Sequence, residues 1–457
     1  MSPGRHADAL AAITGPEHVL VPAPHAYLAD ATAMRGLEGQ ADAVVLPASA
    51  EQVAAVVGYC YANDVPITPR GGGSGFAAGA VPDGGIVLGL ERMARVRSFD
   101  PLLWRIEVEA GVPTAELHRL ARESGLRFPP DPGAGEQSLV GGNIATNAGG
   151  PHAFKYGTTG AWVAGLEAVI PPGEVIRVGG PVRKDVAGYD LKGLLIGSEG
   201  TLGIVTAAWL RLIPSAEAAL PVVGLFAGAV DGCGAIEAAM ASGIVPAAIE
   251  YLDNGTMAAA GGAFPSGPEQ GFAVIAEADG TVAEAEAGRE ALREAMDGAG
   301  ARRIVEPEGE AAAALWRWRD GVSLRVAAKR GGKLSEDIAV PLDRLAEAIQ
   351  GTLEIGGRHD VEALSWGHAG DGNLHSSFLV APGNDAEHAR AERACEELFE
   401  LALSLGGTIT GEHGVGRVKR AYLERQLGSA ARLNTEIKRA FDPKGLLNPG
   451  VKVCLGE

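Results

Sequence analysis

Cysteine is scarce in this chain. Four occur in 457 residues, at Cys60, Cys233, Cys395 and Cys454, and no two stand in CxxC spacing. That excludes a zinc ribbon, an iron–sulfur cluster or a disulfide framework of ordinary spacing, and a reducing compartment, the cytoplasm, is the simplest setting. Positive charge is also short. Lys plus Arg is 39 against 57 Asp plus Glu, a formal net charge of −18. Such a surface repels phosphate backbones and argues against nucleic-acid binding, although a local basic pocket can still take a small anion. No run of about 20 apolar residues is present, so no transmembrane segment is expected. The opening MSPGRHADALAAITG lacks a basic stretch followed by an apolar core, so no signal peptide is expected.

What remains is an ordinary globular composition, 46% hydrophobic and 21% charged, long enough for two or more domains. Residues 1–37 form a lead-in. Strand patterns follow at 43–47, 66–68, 86–90 and 105–111, with a helix from Ser49 to about Asp64 behind a Ser49/Gln52 capping box. Another helix opens at Thr114. Residues 129–160 are Pro/Gly-rich with little periodicity, and loops of that length are usually functional. Beyond Pro214 the composition becomes Ala- and Glu-rich, with helical runs at Val282–Ala299 and Leu342–Thr352 and a strand at 338–340. Two α+β domains are therefore expected, at 38–215 and 216–415, with a C-terminal segment, 416–457, returning to the first.

The 66 glycines cluster. Pro69-Arg70-Gly71-Gly72-Gly73-Ser74-Gly75 follows a strand and can form an anion nest. It lacks the following helix of a dinucleotide fingerprint and the GK[ST] end of a P-loop. A mobile surface turn or the pyrophosphate loop of another flavin fold remain. GGNIATNAGG at 141–150 and GSEGTLG at 197–203 add two such loops, which together suit a long ligand such as a dinucleotide.

A second pattern is GHAGDGNLH at 367–375. The chain has ten histidines, and two of them, His368 and His375, bracket a turn-forming AGDG. A hairpin there would bring both imidazoles to one point. An isolated pair is more often structural, and a site needs a third ligand. GEHGVG at 411–416 offers Glu412 and His413. Two His and one carboxylate suit a catalytic divalent metal.

Taken in order, PRGGGSG, PPDPG, GGNIATNAGG, YGTTG, KDVAGYDLKGLLIGSEGTLGIVT, GHAGDGNLH, GEHGVG and FDPKGLLNPG resemble the FAD-linked D-2-hydroxyacid dehydrogenases, a family of the vanillyl-alcohol-oxidase flavoproteins. The likeness runs from about residue 40 to 450. It implies an α+β fold: a two-part FAD-binding domain of the PCMH type plus a substrate (cap) domain with an antiparallel sheet. It implies that Arg70 and Gly71, Gly72, Gly73, Ser74 and Gly75 wrap the FAD pyrophosphate. Ser138, Gly141, Gly142, Ala145 and Thr146 would line the flavin, Gly200 and Ile204 would lie near the adenosine end, and Asn448 would reach the flavin region. With no His or Cys in the first loop, FAD is expected to be non-covalent.

The resemblance further implies His368, His375 and Glu412 as metal ligands, with zinc the first choice and manganese or iron also fitting the donors. His413 becomes the general base and Asn373 a substrate-positioning group. Flavin would take the C2 hydride while the hydroxyl proton leaves. Alignment favours Arg319 for the substrate carboxylate over Arg317, which also reads as a solvated helix face. Relatives with a dicarboxylate substrate carry a Lys where Ser335 stands, and Lys333 lies two residues earlier. That departure favours D-lactate or glycolate over D-2-hydroxyglutarate. The electron acceptor would be an electron-transfer flavoprotein or an iron–sulfur or quinone-linked partner. Alternatives are a non-catalytic flavin subunit of a multi-subunit oxidase, an alditol oxidase and an alkyl transferase.

Overall fold

A computed structural model describes residues 6–260, 264, 271–453 and 455. The chain forms two compact units. One comprises residues 1–149, 157–215 and 412–457, and the other 150–156 and 216–411. The chain therefore passes between them four times.

The first unit holds two main sheets, beside a two-stranded ladder that pairs Leu126–Arg127 with Ile213–Pro214. In the smaller, strands run in the order Val19–Leu20, Ala43–Val45, Ile86–Gly89, Ile67–Arg70, and the last three are parallel. Parallel strands are buried on both faces and read as continuous apolar runs, which is the pattern of Ala43–Val45 and Ile86–Gly89. Ser49 caps the helix Ala50–Ala62, accepting from the Gln52 N–H. That helix puts Val53, Val56, Val57 and Cys60 into a core with Ile67, Ile86 and Leu88. The larger sheet is antiparallel, in the order Val96–Asp100, Arg105–Glu109, Ile204–Arg211, Val163–Ile170, Glu174–Gly179.

The second unit is built on seven antiparallel strands, in the order Arg303–Val305, Ala218–Phe226, Phe272–Gly280, Ala248–Leu252, Ala363–His368, Asn373–Val380, Gly332–Ala339. Successive side chains alternate between the faces. Tyr251, Phe272 and Ser376 point to the face packed by the helices Ala229–Ala241, Val282–Gly298, Leu345–Arg358 and Asp385–Ser404. Glu250, His368, His375, Asp337 and Lys333 share the opposite face by the same alternation. There an apolar cluster of Leu252, Leu364, Trp366 and Leu379 packs with Leu315, Trp318, Val322 and Val326 of the helices Glu310–Asp320 and Val322–Ala328. The expected mixed fold with an antiparallel sheet in the second part is thus observed. No described helix is long and apolar enough to cross a membrane.

Candidate active site

In the first unit the glycine loops converge. A Cβ added to Gly71 would lie 3.1 Å from the Gly142 Cα, and one on Gly72 only 2.0 Å from the Gln137 carbonyl oxygen. Loop 71–75 therefore lies against the start of the helix Val140–Thr146. Gly141 packs on Ala110 so closely that its own Cβ would meet the Ala110 Cβ at 2.6 Å. The third loop joins by two hydrogen bonds, Gly197 N–H to Ile144 O at 2.9 Å and Glu199 N–H to Ala145 O at 2.7 Å. Asn448 arrives from the C-terminal segment. Its amide donates to Gly79 O and Glu199 O, both at 2.8 Å.

Several details fit a polar ligand lying along these loops. The Oδ1 of Asn448 and the hydroxyl of Thr68 are buried without a hydrogen-bond partner, and such atoms are costly unless something fills them. No atom would meet a Cβ on Gly75 within 4 Å, so that part of the cradle is open. Four expected contacts are otherwise engaged. The Arg70 guanidinium donates to the carbonyls of Ala26 and Ala29, at 2.7 and 2.8 Å, and lies over the Tyr27 ring. Burial pulls that guanidinium below its usual pKa. The Ser138 hydroxyl is tied to Thr114 at 2.8 Å. Ile204 is a core residue packed with Ile67 and Ile86. Thr146 turns its hydroxyl back onto Gly142 O at 3.1 Å.

In the second unit Ala363–His368 and Asn373–Val380 form the expected hairpin, with Trp366 opposite His375. A short turn, Ala369–Asp371, closes it through left-handed Gly372. The His368 and His375 rings stand at 88° with their Nε2 atoms 3.3 Å apart. Two nitrogens on one tetrahedral ion, with bonds of about 2.1 Å, would be about 3.4 Å apart. His368 Nδ1 lies 2.6 Å from Glu250 Oε1. The buried Asp337 accepts from the Gly411 N–H at 2.8 Å and from the Thr410 hydroxyl at 3.2 Å. Asn373 is buried, donates to Ile338 O at 2.8 Å and packs on Gly411.

Glu412 follows Gly411 directly, one peptide link from the residue that Asp337 holds. One ligand atom from each of His368, His375 and Glu412 lies within 4.8 Å of the others. Past it, His413 stacks on Phe76, ring centroids 4.9 Å apart. The Glu199 carboxylate accepts from the backbone N–H groups of Val415 and Gly416, at 3.0 and 2.7 Å, and so fixes the end of the GEHGVG loop.

Arg319 forms a salt bridge with the fully buried Glu250. Arg317 instead pairs with exposed Glu310 on the helix surface. Lys333 is fully buried, donates to the Ser323 hydroxyl at 2.9 Å and lies over the Trp366 ring. Ser335 bonds the Ser377 hydroxyl at 2.8 Å. Glu250, Asp337 and Glu199 did not stand out as site residues in the sequence. Only Glu250 leaves a trace there, as a lone carboxylate in the otherwise apolar strand Ala248–Leu252.

The fold is of the PCMH type. p-Cresol methylhydroxylase superposes with a TM-score of 0.82 at 18% identity, covering 99% of this chain and 97% of that one. The 4-ethylphenol oxidase of Gulosibacter chungangensis gives 0.79 at 20% identity, covering 100% and 98%. Residues 41–179 match the FAD binding domain family and residues 218–451 the C-terminal domain of the FAD linked oxidases. The glycolate oxidase subunit GlcD of Bacillus subtilis is 36% identical over 93% of this chain and 91% of its own length. The D-lactate dehydrogenase of Anaerostipes hadrus is 34% identical over 90% and 89%, and that of Archaeoglobus fulgidus 35% over 89% and 90%. The chain belongs to the FAD-linked oxidase family. It is an FAD-linked oxidoreductase of the glycolate oxidase and D-lactate dehydrogenase type.

Proposed function

We propose that this enzyme oxidises a D-2-hydroxyacid to the 2-oxoacid with non-covalent FAD and a divalent metal, zinc before manganese or iron. The observation that carries the metal reading is the His368/His375 pair with facing Nε2 atoms and the Glu412 carboxylate beside it. When bound, FAD supplies the acceptor for the C2 hydride and the metal the Lewis acid that eases loss of the hydroxyl proton. His413 takes that proton on an imidazole nitrogen, its ring plane set by Phe76. Arg319, with a tenth of its side chain still exposed, offers its remaining N–H groups to the substrate carboxylate. Asn373 positions the acid from the end of the hairpin. The loops at 70–75, 138–146 and 200–204 and Asn448 hold FAD. Arg70, Ser138, Thr146 and Ile204 act there through backbone or packing, since their side chains are engaged elsewhere.

D-lactate or glycolate is the favoured acid and D-2-hydroxyglutarate the less favoured. Ser335, bonded to Ser377, gives no cation for a second carboxylate. Residues 38–215 and 416–457 would serve as the flavin domain and 216–415 as the substrate domain. Electrons would leave to an electron-transfer flavoprotein or an iron–sulfur or quinone-linked partner, in the cytoplasm. Dye-linked oxidation of a panel of 2-hydroxyacids tests the reading, with wild type and His375→Ala side by side and metal content measured on both. The variant is expected to lose the metal and on the order of 100-fold or more in kcat, with FAD retained. A variant that turns over at the wild-type rate without metal sinks the metal reading.

A further inference from the structure

Glu250 has no part in the reaction scheme above, yet it is among the most deliberately placed groups in the second unit. It is the one carboxylate of the strand Ala248–Leu252 and is fully buried. A carboxylate so placed persists only with partners. It stands directly opposite His368 across two antiparallel strands, so both side chains share a face. Its two oxygens serve two different groups. Oε1 lies 2.6 Å from His368 Nδ1, and Oε2 forms the salt bridge with Arg319. An ionised carboxylate can only accept, so the proton of a neutral His368 sits on Nδ1 and the lone pair on Nε2. Nε2 is the atom that faces His375 at 3.3 Å.

We propose that Glu250, held by Arg319, is a positioning residue that fixes the ring and tautomer of His368 and so presents its Nε2 to the metal. The proposal rests on the metal reading above. It also gives Arg319 two duties. The guanidinium that would meet the substrate carboxylate is the one that anchors the partner of a metal ligand, so substrate binding and metal binding share one side chain.

The test is Zn2+ affinity of the holoenzyme, measured by competition with a chromophoric chelator, with FAD content read from the visible spectrum. Four proteins are compared: wild type, His375→Ala, Glu250→Gln, and the double variant Glu250→Gln/Arg319→Met. Glu250→Gln is expected to weaken Zn2+ binding 10- to 100-fold while FAD stays at full occupancy. It also leaves Arg319 buried beside a neutral group. The double variant removes that charge, and its Zn2+ affinity is expected to remain 10- to 100-fold down. A double variant with wild-type Zn2+ affinity overturns the proposal and leaves Glu250 and Arg319 as a structural ion pair. If Glu250→Gln alone loses FAD, the double variant decides by the same criterion. Equal Zn2+ binding by wild type and His375→Ala sinks the metal reading itself, and the proposal with it.

Discussion

Lys333 buries an amine whose hydrogen-bond and ring partners, among the described residues, are the Ser323 hydroxyl and the Trp366 indole. Burial pushes its pKa from 10.5 down to about 7. The unfolded chain therefore binds more protons than the folded one between pH 7 and 10.5, and stability rises with pH across that window. A shift of about 3.5 units corresponds to at most about 5 kcal/mol of burial penalty below pH 7, relieved as pH approaches 10.5. Lys333→Met is thus expected to stabilise the protein by a few kcal/mol at pH 6 and clearly less at pH 9. Thermal unfolding of both proteins at the two pH values measures it, and a difference independent of pH counts against the assignment.

At this scale the sequence was a partial guide. The sequence offered His368 and His375 as a pair about a glycine-rich turn, and the family resemblance added Glu412; the fold brings one ligand atom of each within 4.8 Å of the others. Glu250 was not legible, because a contact between an arginine on a helix and a carboxylate on a distant strand leaves no local pattern. Arg319 accordingly reads as a free cation until its partner is seen.

Among the elements, the helical runs expected at Val282–Ala299 and Leu342–Thr352 stand as Val282–Gly298 and Leu345–Arg358, the second beginning three residues later and ending six residues later than expected. The first starts at a capping box, Thr281 with Glu284. The hairpin at 363–380 was readable from its turn residues. The helix Val140–Thr146 was not. It has seven residues, two interior glycines and no side-chain cap, so propensity opposes it, and packing of Val140 and Ile144 into the core decides instead. The same close packing makes Gly72 testable. A Cβ there would press on the Gln137 carbonyl at 2.0 Å, and overpacking of this kind costs about 1–3 kcal/mol. Gly72→Ala is expected to weaken FAD binding by about 5- to 150-fold, read as the FAD dissociation constant, with Zn2+ affinity unchanged. The order of the seven strands was beyond reading, because pairing between segments distant in sequence is set by whole-sheet packing and not by local alternation.

For the whole molecule, the net charge of −18 sets a field that the proposed anionic substrate would have to enter. Salt screens that repulsion over about 8–10 Å at physiological strength. The kcat/KM for a 2-hydroxyacid anion is expected to rise by about two- to fivefold between ~10 and ~150 mM salt. Initial rates at low substrate concentration measure it, and a fall with salt would mean that local cations such as Arg319 dominate the approach.

The outer strand of the four-stranded sheet, Ile67–Arg70, is completed by residues near the far end of the chain. The Ile67 N–H donates to Leu446 O at 2.8 Å, and the Asn448 N–H donates to Ile67 O at 2.7 Å. Leu447 sits in the same core as Ile67 and Ile86. During synthesis that strand is made early and its partner only after the whole of the second unit. The 196 residues of 216–411 alone take about 10–40 s to translate at 5–20 residues per second. For that interval the nascent flavin unit carries an open strand edge and a gap where Leu447 belongs, which is the kind of surface that neighbouring chains adhere to. Yield in a cell would then depend on how well that half-built sheet is shielded until the ribosome delivers Leu446–Asn448.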